Sequence, residues 1–299
     1  MSNSIKPLVS VSCITFNHVN YIRQCIDSIL MQKTTFDFEL LIHDDCSTDG
    51  TTEIVKEYEN KYPNIIKPLY EDENQWQKGR KGSRVFNFPR ARGKYIAICE
   101  GDDYWTDPLK LQKQVDILEK YNNVSCCTHQ ASIVRNGEET NEPFISLPDN
   151  KLFYTLKDVL GNRLFHTATY LFRNTDKLIN TPEVISQDKM MILILACLGD
   201  IYYIPKTMAV YRKTETGISS SVKLEAMKTD LNMLPYLKSL KPDFPVYREL
   251  SQIYKTIAMY SCDANCIMKI KYLSLSFIYS FSYFPYNIIE ILNILKKNL

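Results

Sequence analysis

The segment Tyr95-Ile-Ala-Ile-Cys-Glu-Gly-Asp-Asp-Tyr-Trp105 limits what this chain can become more than any other. Its first half, Tyr95 to Cys99, is a short apolar run with β-branched residues and predicts a buried strand. The run stops abruptly at Glu100, Asp102 and Asp103. Carboxylates at the edge of a buried strand are costly unless something cationic neutralises them. Hard divalent cations prefer oxygen ligands, and Mg²⁺ sits on one or two carboxylates together with substrate phosphates. In open α/β sheets, ligands bind at the carboxyl ends of strands. The segment therefore points to a metal–diphosphate site. A solvated acidic turn capping a strand is the alternative.

The surrounding pattern supports an α/β domain. Strands are predicted at Leu8 to Ile14, Phe38 to Ile42, Ile65 to Tyr70 and Tyr95 to Cys99. Between them, Ile22, Cys25, Ile26, Ile29 and Leu30 give helical periodicity to Asn17–Met31. The Ser47–Glu53 segment supplies capping side chains for a helix over Ile54–Tyr62. Strands alternating with helices predict a mostly parallel sheet flanked by helices. A loop with a short helix is expected over Gln75–Gly93. Farther on, strands are predicted at Val124–Thr128, Ala131–Val134, Ala168–Phe172, Ile201–Ile204 and Met208–Tyr211, with an apolar helix at Met190–Leu198. Beyond Val222 the pattern turns helical. The expected division is a catalytic domain at 1–221 and a helical extension at 222–299.

Composition excludes some partners. At 299 residues and a formal net charge of +2, nothing favours a nucleic-acid ligand. The nine cysteines are odd in number and include no CxxC pair, so reduced thiols in a cytoplasmic protein are expected. The N-terminus lacks the charged and apolar regions of a secretory signal.

Polar residues recur at other strand ends. Asp44 and Asp45 follow the second strand, and Thr15, Phe16 and Asn17 end the first. A carboxylate can accept the ring N–H of uracil while an aromatic face packs on its plane. Turn and capping chemistry is the plainer reading of Asp44 and Asp45. Three such ends on one sheet edge favour a nucleotide. Tyr104 and Trp105 suit a sugar ring or an anchor within the turn. Asp188 stands just before the apolar helix, where N-capping would also explain it.

These motifs, in order, resemble the family-2 inverting glycosyltransferases of the GT-A fold. The likeness is carried by Val11–Asn17, by HDDCSTDGT at His43–Thr51, by the run from Ala91 to Gln114, by His166-Thr167, by Gln187-Asp188 and by Ile204–Arg212. It spans about Leu8 to Ser221. The resemblance implies a nucleotide-sugar donor bound through Thr15, Phe16, Asn17, Asp44 or Asp45, Arg84, Glu100, Gly101 and Asp102. It implies Mn²⁺ or Mg²⁺ on Asp102 and Asp103, and Asp188 as the catalytic base. Trp105 and His166 fall on the acceptor side, where a glycan or lipid-linked glycan would bind. Glu100 replaces the usual leading Asp of the metal motif, Gln187 replaces a Glu, and Thr214 stands where relatives often carry His. A sugar-nucleotide pyrophosphorylase would need a Gly-rich basic loop after the first strand, which Thr15-Phe-Asn-His18 does not provide. A non-catalytic sugar-nucleotide-binding protein is the remaining alternative.

The uncharged stretch from Tyr272 to Ile289 nears the ~20 residues of a membrane span. It is interrupted by Pro285 and rich in Ser and Tyr, so a span is not expected. Peripheral contact with the inner face of the membrane, packing onto the catalytic domain and homodimer formation through the C-terminal helices are its possible uses.

Overall fold

Helix and strand boundaries follow the apolar runs, with departures that have local causes. The computed structural model describes residues 6–80, 82–135, 137–213, 223–261 and 264–280. The chain divides into two compact units, one of residues 1–155, 164–180 and 198–215, the other of 156–163, 181–197 and 216–299.

In the first unit, β1 (Val9–Thr15), β2 (Phe38–Asp44), β3 (Ile66–Tyr70) and β4 (Tyr95–Ile98) form a parallel set. The remaining strands are β5 (Tyr104–Trp105), β6 (Val124–Arg135), β7 (Glu138–Pro143), β8 (Phe153–Tyr154), β9 (Leu171–Arg173) and β10 (Asp200–Lys213). The sheet order is β3-β2-β1-β4-β9-β6-β10-β5, with β7 on β6 and β8 on β10. β9 runs antiparallel to both β4 and β6, and so joins two parallel portions. The expected mostly parallel α/β sheet is present.

The expected pairs of strands at 124–134 and 201–211 are each one continuous strand. β6 and β10 pair in parallel, with register shifts on either side of Thr207. Pro205 lacks an N–H to donate, so the ladder breaks step there without ending. The expected strand over Ala168–Phe172 begins instead with a 3₁₀ turn, Thr167–Thr169, stapled by the His166 carbonyl.

Three helices pack on this sheet's first strands. α1 (Ile22–Leu30) buries Ile22, Cys25, Ile26 and Ile29, the spacing of one helical face. It starts later than expected because Asn17 adopts φ +53°, and the N–H groups of Tyr21 and Ile22 both turn back to the His18 carbonyl. α2 (Thr51–Lys61) starts earlier than expected. Gly50 turns into it at φ +104°, and the Asp49 carboxylate accepts the Thr51 N–H. α3 (Ser83–Phe86) is the short helix expected in the 75–93 loop.

α4 (Lys110–Lys120) carries an unusual core residue. Lys110 is 0% exposed, donates to Gln114 Oε1 at 2.7 Å and lies 3.9 Å from the Trp105 ring centroid. Gln114 in turn donates to the carbonyls of Cys127 and Thr169. Burial lowers the Lys110 pKa from 10.5 to about 7. Below about 7 both native and unfolded chains hold the proton, and the native state bears the full cost of a buried charge. Between about 7 and 10.5 the unfolded chain still holds the proton that the native chain has released. Stability from this site therefore rises with pH in that window, by up to ~1.4 kcal/mol per pH unit. Urea unfolding across the window should show the wild type gaining on Lys110→Met as pH rises. A pH-independent difference would count against a neutralised lysine.

The second unit is helical. It contains α5 (Leu156–Val159), α6 (Gln187–Leu198) up to Cys197, α7 (Leu224–Lys228), α8 (Met233–Leu240), α9 (Val246–Tyr260) and α10 (Cys266–Ser280). α6 buries Met190, Ile192, Leu193, Ile194 and Leu195. Its second residue after the start, Lys189, forms an ion pair with Glu249 of α9, a carboxylate with no exposed surface. Of the aromatic stretch from Tyr272, the first nine residues continue α10. Residues 281–299, like Ser221 and Thr214, lie outside the described residues. Among the described residues, no helix is long and apolar enough to cross a membrane.

Candidate active site

Parallel pairing sends the C-terminal ends of β1, β2 and β4 to one edge. Thr15 is in register with Asp44, and Ser12 with Ile98. The ladder runs on past the strands. The N–H groups of Cys99 and Gly101 donate to the Ser12 and Ile14 carbonyls at 3.1 and 2.9 Å, and that of Asp45 to the Thr15 carbonyl at 3.0 Å. Thr15–Asn17, Asp44–Asp45 and Glu100–Asp103 are thus brought together, as the sequence implied. Gly101 is required by this approach. A Cβ there would lie 2.7 Å from the Thr15 hydroxyl and 2.8 Å from His18 Nδ1.

Phe16 and Asn17 are exposed at this edge, Phe16 by 42%. Asn17 crosslinks the two loops, accepting the Thr48 N–H and donating its own backbone N–H to Ser47 Oγ. Asp44 and Asp45 are both buried and engaged. Asp44 accepts the Ser47 N–H and the Thr52 hydroxyl. Asp45 accepts the backbone N–H groups of Gln75 at 2.6 Å and Trp76 at 3.1 Å. Each therefore shapes its loop. Asp45 also holds the 75–76 segment, and with it the half-exposed indole of Trp76, against the end of β2. Arg84 lies in α3, which is tethered to β1 by the Ser12 hydroxyl donating to Ser83 Oγ. Asn87, fully buried, extends the tether to the carbonyls of Cys13 and Leu41.

The acidic turn is the electrostatic centre of this edge. One ligand atom from each of Glu100, Asp102 and Asp103 lies within 4.8 Å of the others. Glu100 and Asp102 are partly exposed, while Asp103 is 1% exposed. Burial first, then the charges of Asp102 and Glu100, push the Asp103 pKa well above the carboxylate range. Its Oδ1 accepts the Arg212 backbone N–H at 3.0 Å, and its Oδ2 accepts no hydrogen bond and lies 3.7 Å from His166 Nδ1. An all-oxygen set of crowded carboxylates, one of which buries an oxygen that accepts no hydrogen bond, fits a hard divalent cation.

Arg212, for which no role was legible in the sequence, holds the turn. Its guanidinium donates to the Asp102 carbonyl and to Gln24 Oε1, and covers the Tyr104 ring at 4.4 Å. Its position just past a predicted strand, closing the Ile204–Arg212 motif, was the available hint. Trp105, expected on the acceptor side, is 1% exposed. Its indole N–H donates to the Ala168 carbonyl at 3.0 Å, so it anchors the turn from within the core. His166 is buried as well, stacked on Tyr211 at 4.2 Å.

Asp188 belongs to the second unit. It sits inside the first turn of α6 rather than at its cap, partly exposed, with Oδ1 accepting the Lys189 N–H. Arg163 forms an ion pair with its carboxylate at 3.2 Å. Ser186, just before the helix, is fixed by the buried Asp230, which accepts both its N–H and its hydroxyl.

Residues 10–181 match the model of glycosyl transferase family 2, and the chain belongs to that family. An uncharacterized Mycobacterium tuberculosis protein, Rv1520, is 33% identical over 221 residues, covering 74% of this chain and 63% of that protein. The chain thus spans less than two thirds of that relative's length. TuaG of Bacillus subtilis, with a provisional designation as a teichuronic acid biosynthesis glycosyltransferase, is 32% identical over 75% of this chain and 86% of its own. Among solved structures, S. aureus TarS in complex with UDP-GlcNAc superposes with a TM-score of 0.67 at 19% identity, covering 89% of this chain and 79% of that one. The Pyrobaculum calidifontis mannosyltransferase PcManGT, in complex with GDP-Man and Mn²⁺, gives 0.55 at 15% identity, over 98% and 80%. The fold is GT-A, as the sequence motifs implied.

Proposed function

We propose that this chain is an inverting glycosyltransferase that moves a sugar from a nucleotide donor, a UDP-sugar, to a hydroxyl of a glycan or lipid-linked glycan. The observation that carries the reading is the convergence of three polar strand ends on the Glu100–Asp103 cluster. Family membership and the designation of TuaG support a place in cell-surface polysaccharide synthesis. Thr15, Phe16 and Asn17 with the Asp44–Asp45 loop would take the nucleoside, and Arg84 the diphosphate. Mn²⁺ or Mg²⁺, held by Asp102 and Asp103, would supply charge stabilisation to the departing diphosphate. Asp188 takes the proton of the acceptor hydroxyl as its oxygen bonds to the anomeric carbon. The bond from that carbon to the diphosphate oxygen breaks on the opposite face, which inverts the centre. The catalytic domain is assigned to 1–221 and the extension to 222–299. The free thiols among the described cysteines fit a reducing, cytoplasmic setting.

A panel of nucleotide-sugars, screened for thermal stabilisation and for slow donor hydrolysis, tests this. A UDP-sugar should give both. Stabilisation without hydrolysis or transfer would favour a binding protein, and no response to any nucleotide would sink the donor-site reading.

A further inference from the structure

We infer that the free end of the α9–α10 hairpin docks on a bilayer surface that carries anionic phospholipid. The register of the hairpin is set by side-chain contacts. Ser251 Oγ donates to the Ser276 carbonyl at 2.9 Å, Tyr254 meets Tyr272 at 5.9 Å, and Tyr247 stacks on Tyr279 at 5.9 Å. The helices run antiparallel, and the same register brings Met259 and Tyr260 level with Ile267 and Cys266.

At that end the apolar side chains are uncovered. Met259 is 39% exposed, Tyr260 64%, Ile267 78%, Met268 41% and Ile270 47%. A single surface hydrophobe needs no explanation, but a group of large ones on one tip marks an interaction site. Behind the tip comes a band of positive charge. Lys255 lies level with Lys271, and Lys269 stands between them and the tip. The only carboxylate in the sequence from 250 to 280 is Asp263, in the connection between the helices. The sequence after α10 continues the same theme, apolar and aromatic with Lys296 and Lys297.

The spacing selects a bilayer over a protein partner. Lys255 is five residues from Tyr260 and Lys271 four from Ile267, about 6–8 Å at 1.5 Å per residue. An interfacial helix sinks its apolar side ~5–10 Å into the boundary between headgroups and acyl chains. With the tip at that depth, the lysine amines reach the phosphate layer, where each strengthens binding to an anionic surface roughly fivefold. The surface lies wholly within the second unit and does not depend on the assignment of Asp188.

Co-flotation of the full chain with vesicles tests this, using phosphatidylcholine alone and an equal mixture with phosphatidylglycerol. The wild type should float with the mixed vesicles, and more salt should release it. Ile267→Glu should weaken that binding at least about tenfold. Its unchanged melting temperature will show that the fold survives, as expected for a side chain 78% exposed. Lys269→Gln and Lys271→Gln should each weaken it roughly fivefold on mixed vesicles. Ile278→Glu, 58% exposed at the other end of the hairpin, should bind like the wild type. Wild-type protein that floats with neither vesicle overturns the inference. Equal loss in Ile267→Glu and Ile278→Glu does so too. A dimer in sedimentation that Ile267→Glu converts to monomer, without vesicle binding, would assign the tip to a second copy of the chain instead.

Discussion

Asp188→Asn should transfer sugar at least about a hundredfold more slowly than the wild type, because general-base catalysis is worth ~10²–10⁴-fold in rate. Its affinity for the nucleotide-sugar should stay within about twofold, since a group that acts only in the transition state leaves ground-state binding alone. The substitution keeps the size of the side chain and its ability to accept the Lys189 N–H. It removes the charge that pairs with Arg163 at 3.2 Å. It also removes a favourable charge from the first turn of α6, a loss of ~0.3–1 kcal/mol that a melting curve will register without unfolding the protein. Single-turnover transfer and donor titration, done on the same preparation, separate the outcomes. Near-wild-type turnover would move the base elsewhere, with Asp176 and Glu183 next to test. Loss of donor affinity together with turnover would make Asp188 part of the donor pocket or of the structure.

The parallel sheet was legible because its strands are apolar runs bounded by polar ends, and burial on both faces demands that composition. The same rule exposed the acidic turn. What the sequence hid is how far each side chain is committed before any ligand arrives. Asp44 and Asp45 read alike, yet one closes the turn to Ser47 and Thr52, and the other collects two N–H groups from 75–76. Those partners lie up to 31 positions away, beyond the reach of local pattern. From the sequence Trp105 suited a sugar ring and an anchor within the turn alike, because an aromatic face serves either. Its indole N–H found a partner in Ala168, and Lys110 covered its ring. A buried lysine contradicts every composition rule, so no reading of α4 from its sequence would place Lys110 in the core. The strand break at Pro205 misled in the other direction, since a neighbouring strand can absorb a register shift that periodicity reads as an end.

Removing divalent metal should abolish transfer, and Asp102→Ala should weaken metal-dependent donor binding at least about a hundredfold. The reason is the crowding of Glu100, Asp102 and Asp103 within 4.8 Å. Asp103 is buried, with Oδ1 committed to the Arg212 N–H, which leaves Asp102 and Glu100 as the partly exposed carboxylates able to face a ligand, Asp102 on the shorter arm. Loss of a supporting partner around a metal already costs ~10–100-fold in affinity, and a direct ligand should cost no less. A second readout needs no donor. Three crowded carboxylates repel, so Mn²⁺ alone should raise the melting temperature of the wild type and leave that of Asp102→Ala nearly unmoved. Without metal the order should change: Asp102→Ala relieves one of the charges that push up the Asp103 pKa, and so should melt no lower than the wild type. Full transfer in excess chelator would remove the metal from the reaction. Equal stabilisation of both proteins by Mn²⁺ would place the ion on other residues.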